Sequence, residues 1–180
     1  MAKKQCMARV VRAERLTEGI YSMWMHAPEI AGQAVPGQFI SMYTSDSDKL
    51  LPRPISLCEI DREKGLLRVV YRVVGAGTRE FSQKQVEDEI RILGPLGNGF
   101  PLDAEGKKAV LIGGGIGIPP MLQLAKELSA DVTFFVGYRS SDTFLLEELK
   151  KAADRVVIAT EDGSIGTKGN VIDAIRAEQV

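Results

Sequence analysis

Two different rhythms of apolar and polar residues divide the chain. Up to about residue 100 the apolar positions come in short runs. Met7 to Ala13, Ile20 to His26, Gln38 to Tyr43, Ile55 to Ile60, Leu66 to Val74 and Glu89 to Leu93 read as strands. Turn-forming residues stand between them: Pro36-Gly37, Asp46-Ser47-Asp48, Asp61 to Gly65 and Gly94-Pro95-Leu96-Gly97. Strands at this spacing, with no long helix among them, predict a small antiparallel β-barrel. A short helix near Thr78 to Lys84 is placed to cap one end.

After Pro101 the rhythm changes. Lys108 to Ile112 is a continuous apolar run, which predicts a strand buried on both faces. A glycine loop follows, and Pro119-Pro120 opens a helix in which Met121, Leu122, Leu124, Ala125 and Leu128 share a face. Val132 to Gly137 and Arg155 to Ala159 are further strands. Asp142 is placed to cap a helix carrying Phe144, Leu145, Leu149 and Ala152, and Val171 to Ala177 begins another helix. Strand and helix alternate, so this half is expected to be a parallel α/β sheet with right-handed crossovers. The expected division is an antiparallel barrel over residues 1–101 and an α/β domain over residues 102–180.

Composition narrows the function classes. A hydrophobic fraction of 44% and a charged fraction of 26% are ordinary for a globular protein. Net charge is −1 with no block of like charge, which speaks against nucleic acid as a partner. The longest apolar stretch, Ala109 to Leu122, is broken by glycines and prolines and is too short to span a bilayer. No apolar segment follows the opening Met-Ala-Lys-Lys-Gln, so no signal peptide is expected. Cys6 and Cys58 lie far apart and fit a reducing cytoplasm. With a lone His26 they are too few for a metal site, which takes about four ligands. His26, before Ala27-Pro28, reads as an ordinary residue at a strand end.

The densest chemistry lies in Leu51-Pro52-Arg53-Pro54-Ile55-Ser56-Leu57. Arg53 puts a planar, permanently charged fork just before a strand, suited to a diphosphate. Ser56 falls on the same face as Pro54, one pleat along. Alone, the segment reads equally as an edge strand with an exposed arginine. Val70-Tyr71-Arg72 adds a second arginine and a ring that could stack on a flat ligand. Gly75-Ala76-Gly77-Thr78 adds a loop and helix start whose N–H groups suit phosphate.

Pro36-Gly37-Gln38-Phe39, Arg53-Pro54-Ile55-Ser56 and Gly94-Pro95-Leu96-Gly97-Asn98-Gly99-Phe100 resemble the flavin-domain motifs of the ferredoxin reductase superfamily. With Val70-Tyr71-Arg72 and Gly77-Thr78, their order is most similar to the electron-transfer subunits of two-subunit dihydroorotate dehydrogenases. The resemblance implies FAD held by Arg53, Pro54, Ile55 and Ser56, with Arg53 near its phosphates and Ser56 near the isoalloxazine N5, the position of a catalytic group. Val70, Tyr71 and Arg72 would line the ribityl and adenine side, and Gly77 and Thr78 would meet the diphosphate. It implies NAD as electron acceptor and an FMN-containing dihydroorotate dehydrogenase catalytic subunit as partner, in a heterotetramer serving pyrimidine (UMP) biosynthesis. Alternatives are the small subunit of a ferredoxin–NADP oxidoreductase or a sulfide dehydrogenase, a non-catalytic FAD-binding module, or a cofactor-free barrel.

Gly113-Gly114-Gly115-Ile116-Gly117-Ile118-Pro119-Pro120 follows a strand and opens a helix, the setting a dinucleotide pyrophosphate needs. It is not G-x-G-x-x-G, because Ile118 takes the third glycine's place, and no acidic residue ends the next strand. Gly137-Tyr138-Arg139-Ser140 stands there instead. The loop is similar to the nicotinamide domain of ferredoxin reductases, where Gly113, Gly114, Gly115 and Gly117 would let the nicotinamide approach the flavin. A tight turn without a ligand is the plainer reading. NAD rests on the resemblance alone, since Arg139 could meet a 2′-phosphate. Thr160 to Ser164 and Gly166 to Gly169 also match the family. Glu161 and Asp162 read as capping or loop-ordering groups, because hydride transfer needs alignment rather than a protein acid.

In the family resembled, two more strands follow, with a cysteine–glycine–proline segment and four cysteines for a [2Fe-2S] cluster. The chain is therefore expected to be a shortened form with an incomplete α/β domain, lacking the cluster of its parent. In the family's strand order, Lys108 to Ile112 would turn from a central strand into an open edge.

Overall fold

The structure is a computed structural model and describes residues 3–45 and 51–179. The expected turn at Asp46-Ser47-Asp48 lies outside them. The chain divides into two compact units, Met1–Phe100 and Pro101–Val180.

The first unit is a closed six-stranded antiparallel barrel. Its strands are β1 (Lys4–Thr17), β2 (Ile20–His26), β3 (Phe39–Met42), β4 (Arg53–Asp61), β5 (Leu66–Arg72) and β6 (Glu89–Leu96), hydrogen-bonded in the order β1-β2-β5-β4-β3-β6 and back to β1. Alternation along the strands fills the interior: Met23 and Met25 from β2, Leu67, Val69 and Tyr71 from β5, and Ile90 and Ile92 from β6 are all buried. Two short helices, α1 (Pro28–Ala31) and α2 (Ala76–Phe81), add Ile30, Ala31 and Phe81 to the same core. Each large side chain buried there contributes about 1.5–3 kcal/mol.

On the outer face, Arg68 of β5 is 5% exposed. It donates to Glu59 Oε2 at 2.6 Å and Ser22 Oγ at 2.9 Å, and lies 5.7 Å from the centre of the Trp24 ring. Three strands are thereby tied together by a satisfied charge.

The second unit is a four-stranded parallel sheet in the order β10-β9-β8-β7: β7 (Lys108–Gly114), β8 (Asp131–Tyr138), β9 (Arg155–Thr160) and the two-residue β10 (Thr167–Lys168). Helices α3 (Pro119–Glu127) and α4 (Leu146–Ala152) pack on each other, and α5 (Val171–Ala177) lays Val171, Ala174 and Ile175 on Phe135, Val157 and Ala159. Phe134 and Phe135 point to opposite faces of β8 and both are fully buried, so the central strand is covered on both sides.

Four expectations need correction. β7 lies at the sheet edge, as the family's strand order implied, but is covered on one face rather than both: Leu111 and Gly113 are buried, but Val110 is 44% and Ile112 48% exposed. The run Gly94-Pro95-Leu96 continues β6, because Lys4 and Phe39 pair with Gly94 and Leu96. Helix α1 was not expected; Pro28 at its first turn is its signal. Asp142 does not cap α4. Leu145, in the left-handed conformation (φ 61°), precedes that helix, and the Tyr138 hydroxyl donates to the Phe144 carbonyl at 2.8 Å.

Candidate functional site

The first candidate site lies where β4 begins and β5 ends. Pairing of β3 with β4 sets Phe39 opposite Ser56 and Ser41 opposite Pro54, so these four share the outer face of the barrel. Pro54 and Ser56 are exposed, while Ile55, between them, packs toward the core. The Ser56 hydroxyl has no partner among the described residues. Its neighbourhood is therefore an exposed strand surface with an aromatic edge beside a free hydroxyl.

Arg53 sits at the head of this strand, half-buried. It donates one hydrogen bond to the Leu51 carbonyl. Among the described residues its other N–H groups have no acceptor and no carboxylate pairs with it. Arg72 and Arg79 are exposed and likewise form no ion pair among the described residues. Elsewhere Arg9, Arg12, Arg68 and Arg155 each meet a glutamate. Three uncompensated guanidinium groups on β4, β5 and α2 favour an anion at this end of the barrel.

The loop into α2 is built differently from expectation. Thr78 is 6% exposed. Its hydroxyl accepts from the Val74 and Gly75 N–H groups at 3.0 and 3.2 Å and donates to the Gly75 carbonyl at 3.2 Å. The side chain ties the loop together rather than reaching out to a ligand. Gly77 is buried, and a Cβ there would lie 2.8 Å from Arg53 Nε.

Tyr71 requires a correction. The ring is 2% exposed and sits inside the barrel, stacked on Tyr21 at 6.3 Å and edge-on to Phe81 at 6.3 Å. Burial pushes its phenol well above the ordinary range. It presents no face to a ligand, so the stacking expectation falls. Val70 is buried as well, leaving Arg72 as the exposed side chain of that trio.

Two motifs prove to serve each other. The Gln38 side chain accepts from the Val35 N–H at 3.0 Å and donates to the Gly97 carbonyl at 2.8 Å, and the Phe100 N–H donates to the Pro36 carbonyl at 2.8 Å. Pro36 to Phe39 and Gly94 to Phe100 thus brace each other, and Phe39 is held beside Ser56. Leu51 and Phe39 are the positioning residues the sequence reading left unassigned; only the place of Phe39 in a quoted motif pointed to it.

In the second unit the glycine loop resolves into two kinds of glycine. Gly113 is forced by packing, since a Cβ would lie 3.1 Å from Ile118 Cα, and Gly115 has φ 51°, which favours glycine. At Gly114 and Gly117 a Cβ would meet nothing within 4 Å. Packing within the chain does not require glycine at those two, and they leave open space above the loop. The start of α3 does not suit a pyrophosphate as expected. Pro119 and Pro120 lack N–H groups, and the N–H groups of Ile118 and Met121 are taken by the carbonyls of Gly115 and Ile118. The first turn of α3 has its N–H groups missing or taken, while the loop before it leaves room.

Asp162 accepts from Ser164 Oγ at 2.6 Å and Ser164 N at 2.9 Å, bonds that hold its carboxyl below the usual range. It orders its loop, while Asn170 caps α5. Among the described residues no group of three or more His, Cys, Asp or Glu could hold a metal ion, and no helix is long and apolar enough to cross a membrane.

Comparison with known proteins places this architecture. The chain is 40% identical over 183 residues to the dihydroorotate dehydrogenase B (NAD(+)) electron transfer subunit of Geobacillus sp. (strain WCH70), covering 98% of this chain and 71% of that protein. The chain belongs to the dihydroorotate dehydrogenase B electron-transfer subunit family. The same-named protein of Listeria monocytogenes serotype 4a is 41% identical over 177 residues, with 69% of its length covered. Members are electron-transfer subunits of an oxidoreductase. No protein-family model matches the chain. Among solved structures, one of an NADH-dependent reduced ferredoxin–NADP oxidoreductase superposes with a TM-score of 0.87 at 32% identity, and the chain spans 63% of it. A ferredoxin reductase of carbazole 1,9a-dioxygenase shares the fold, with a TM-score of 0.79 at 21% identity. Barrel and parallel sheet together are thus the ferredoxin reductase-like arrangement that the family shares.

Proposed function

We propose that residues 1–101 hold FAD and residues 102–180 form part of an NAD-binding domain, passing electrons from a dihydroorotate dehydrogenase catalytic partner to NAD. The observation that carries this reading is Arg53. It is a guanidinium whose donors, apart from the one to the Leu51 carbonyl, meet no acceptor among the described residues, fixed at the head of the strand bearing Pro54 and Ser56, in a chain of this family. Its neighbours Arg72 and Arg79 also meet no carboxylate among the described residues, which suits a diphosphate rather than a neutral ligand. FAD, when bound, supplies the two-electron chemistry that accepts or delivers hydride. The chain's own part is to bind and align: Arg53 holds the anion, Phe39 and Pro54 offer flat apolar surface, and Ser56 offers a hydroxyl to the reacting edge. Gly114 and Gly117 leave space for a nicotinamide ring. No protein acid is required for the transfer.

The reading extends to an FMN-containing catalytic partner, a heterotetramer, a cytoplasmic setting and pyrimidine biosynthesis, through the names of the relatives and the motif resemblance. A [2Fe-2S] cluster in the parent assembly would need ligands beyond Cys6 and Cys58. A ferredoxin–NADP oxidoreductase subunit is the second reading, supported by the 32% identical solved structure, against 40% for the dihydroorotate dehydrogenase relative. Rapid mixing of the FAD-loaded protein with NADH or NADPH tests the acceptor. Faster bleaching of the flavin by NADH is expected; faster bleaching by NADPH would overturn the choice of NAD.

A further inference from the structure

We propose that Gly77 is a positioning residue that acts through Arg53: the missing side chain is what lets the guanidinium lie against α2 in the orientation that meets the cofactor's phosphates. The inference rests on the FAD reading above and adds a role for Gly77 distinct from direct phosphate contact.

The geometry points one way. A Cβ on Gly77 would lie 2.8 Å from Arg53 Nε, 3.2 Å from Cζ and 3.3 Å from Cγ. Carbon cannot approach that closely, so any side chain at 77 must push the arginine aside. On its other side Arg53 is tethered to the Leu51 carbonyl. The guanidinium therefore has two local constraints and, among the described residues, no carboxylate partner and no acceptor for its remaining donors. An arginine of this kind is organised before the anion arrives, which spares the ordering cost of a long side chain.

Other reasons for glycine at 77 are weak. Its backbone φ is not in the left-handed region, in contrast to Gly37 or Gly97. It lies within α2, where alanine is favoured over glycine by about 0.5–1 kcal/mol. Within the fold alone, alanine would serve better. The atoms in the way belong to a flexible side chain, so Gly77→Ala can fold by swinging Arg53 out. Stability and cofactor affinity should then move in opposite directions.

A double-mutant cycle with FAD titration reads this out. Gly77→Ala should weaken FAD about tenfold while the melting temperature of the apoprotein stays level or rises. In the Arg53→Ala background the same change should alter affinity less than about twofold, because the residue it acts through is gone. Equal losses in both backgrounds would overturn the proposal and leave Gly77 as a direct contact. A lower apoprotein melting temperature in Gly77→Ala would overturn it also, by making the glycine structural. A cofactor-independent readout separates this from the FAD reading: the Arg53 Nε–H signal in an NMR spectrum of the apoprotein. It should be dispersed in the parent and move to the position of a free arginine in Gly77→Ala. If the parent binds no FAD the function proposed above fails, while an unchanged Nε–H signal sinks the positioning role whatever FAD does.

Discussion

The ring of Phe100 lies across Gly37, so closely that a Cβ on Gly37 would be 2.7 Å from Phe100 Cε2. The two residues lie 63 positions apart in sequence, their motifs joined by the bond from Phe100 N–H to the Pro36 carbonyl. Gly37 also has φ 86°, which disfavours any side chain. Gly37→Ala should therefore cost about 2–4 kcal/mol in urea unfolding, combining backbone strain with the clash. Adding Phe100→Ala should return the clash part and leave about 1–2 kcal/mol of strain. Strict additivity of the two substitutions would show that the ring does not constrain position 37.

Thr78 gives a second expectation. Replacing it with Val keeps the shape but removes a hydroxyl that serves two N–H donors and one carbonyl. The loss should be about 1–3 kcal/mol of stability, with Ser restoring most of it. A Val variant as stable as the parent would mean that the loop is held by its backbone alone.

Much of this fold was legible in the residues. β2 matches the predicted Ile20 to His26, and α5 matches Val171 to Ala177, because clean periodicity and flanking turn-formers mark both. Tyr71 was misread because Leu66 to Val74 is a nearly unbroken apolar run, which does not reveal which residues face inward. Its register against β2, with Tyr21 opposite Tyr71, decides that, and register is a tertiary property. The Asp142 cap was lost to the left-handed turn at Leu145, which the Tyr138 hydroxyl helps hold. For the site, Arg53 and Ser56 could be singled out from sequence. Their support could not: the Leu51 carbonyl, the space at Gly77 and the closed hydrogen-bond set of Thr78 exist only once the chain is folded.

Two buried phenols add a dependence of stability on alkaline pH. Tyr71 and Tyr138 both have pKa values raised above the ordinary value near 10, chiefly by burial. The unfolded chain ionises there first, so the folded state's advantage is complete below about pH 10 and shrinks as pH rises toward the folded values. Each tyrosine should contribute a loss of up to about 1.4 kcal/mol per pH unit in that window. Tyr71→Phe should flatten the slope of stability between about pH 10 and about pH 11 relative to the parent. An unchanged slope would show that Tyr71 ionises equally easily in both states.

The open edge of β7 has consequences for motion. Val110 and Ile112 are exposed on one face, and one side of the strand has no neighbouring strand among the described residues. Each such side chain left uncovered forgoes about 1.5–3 kcal/mol, a large share of the roughly 5–15 kcal/mol that holds a domain folded. Amides in residues 102–180 should therefore exchange faster than those of the barrel, or gain protection as concentration rises and edges pair. Uniformly slow exchange in a dilute monomer would contradict this.

The central claim is that the barrel holds FAD, and the direct measurement is reconstitution followed by identification of the bound flavin. Protein incubated with equal FAD and FMN, then desalted, should carry flavin absorbance corresponding to about one flavin per chain. Mass spectrometry of the released cofactor should find FAD, because Arg53 with Arg72 and Arg79 favours a diphosphate. A colourless product, or one that retains FMN in place of FAD, would contradict the account.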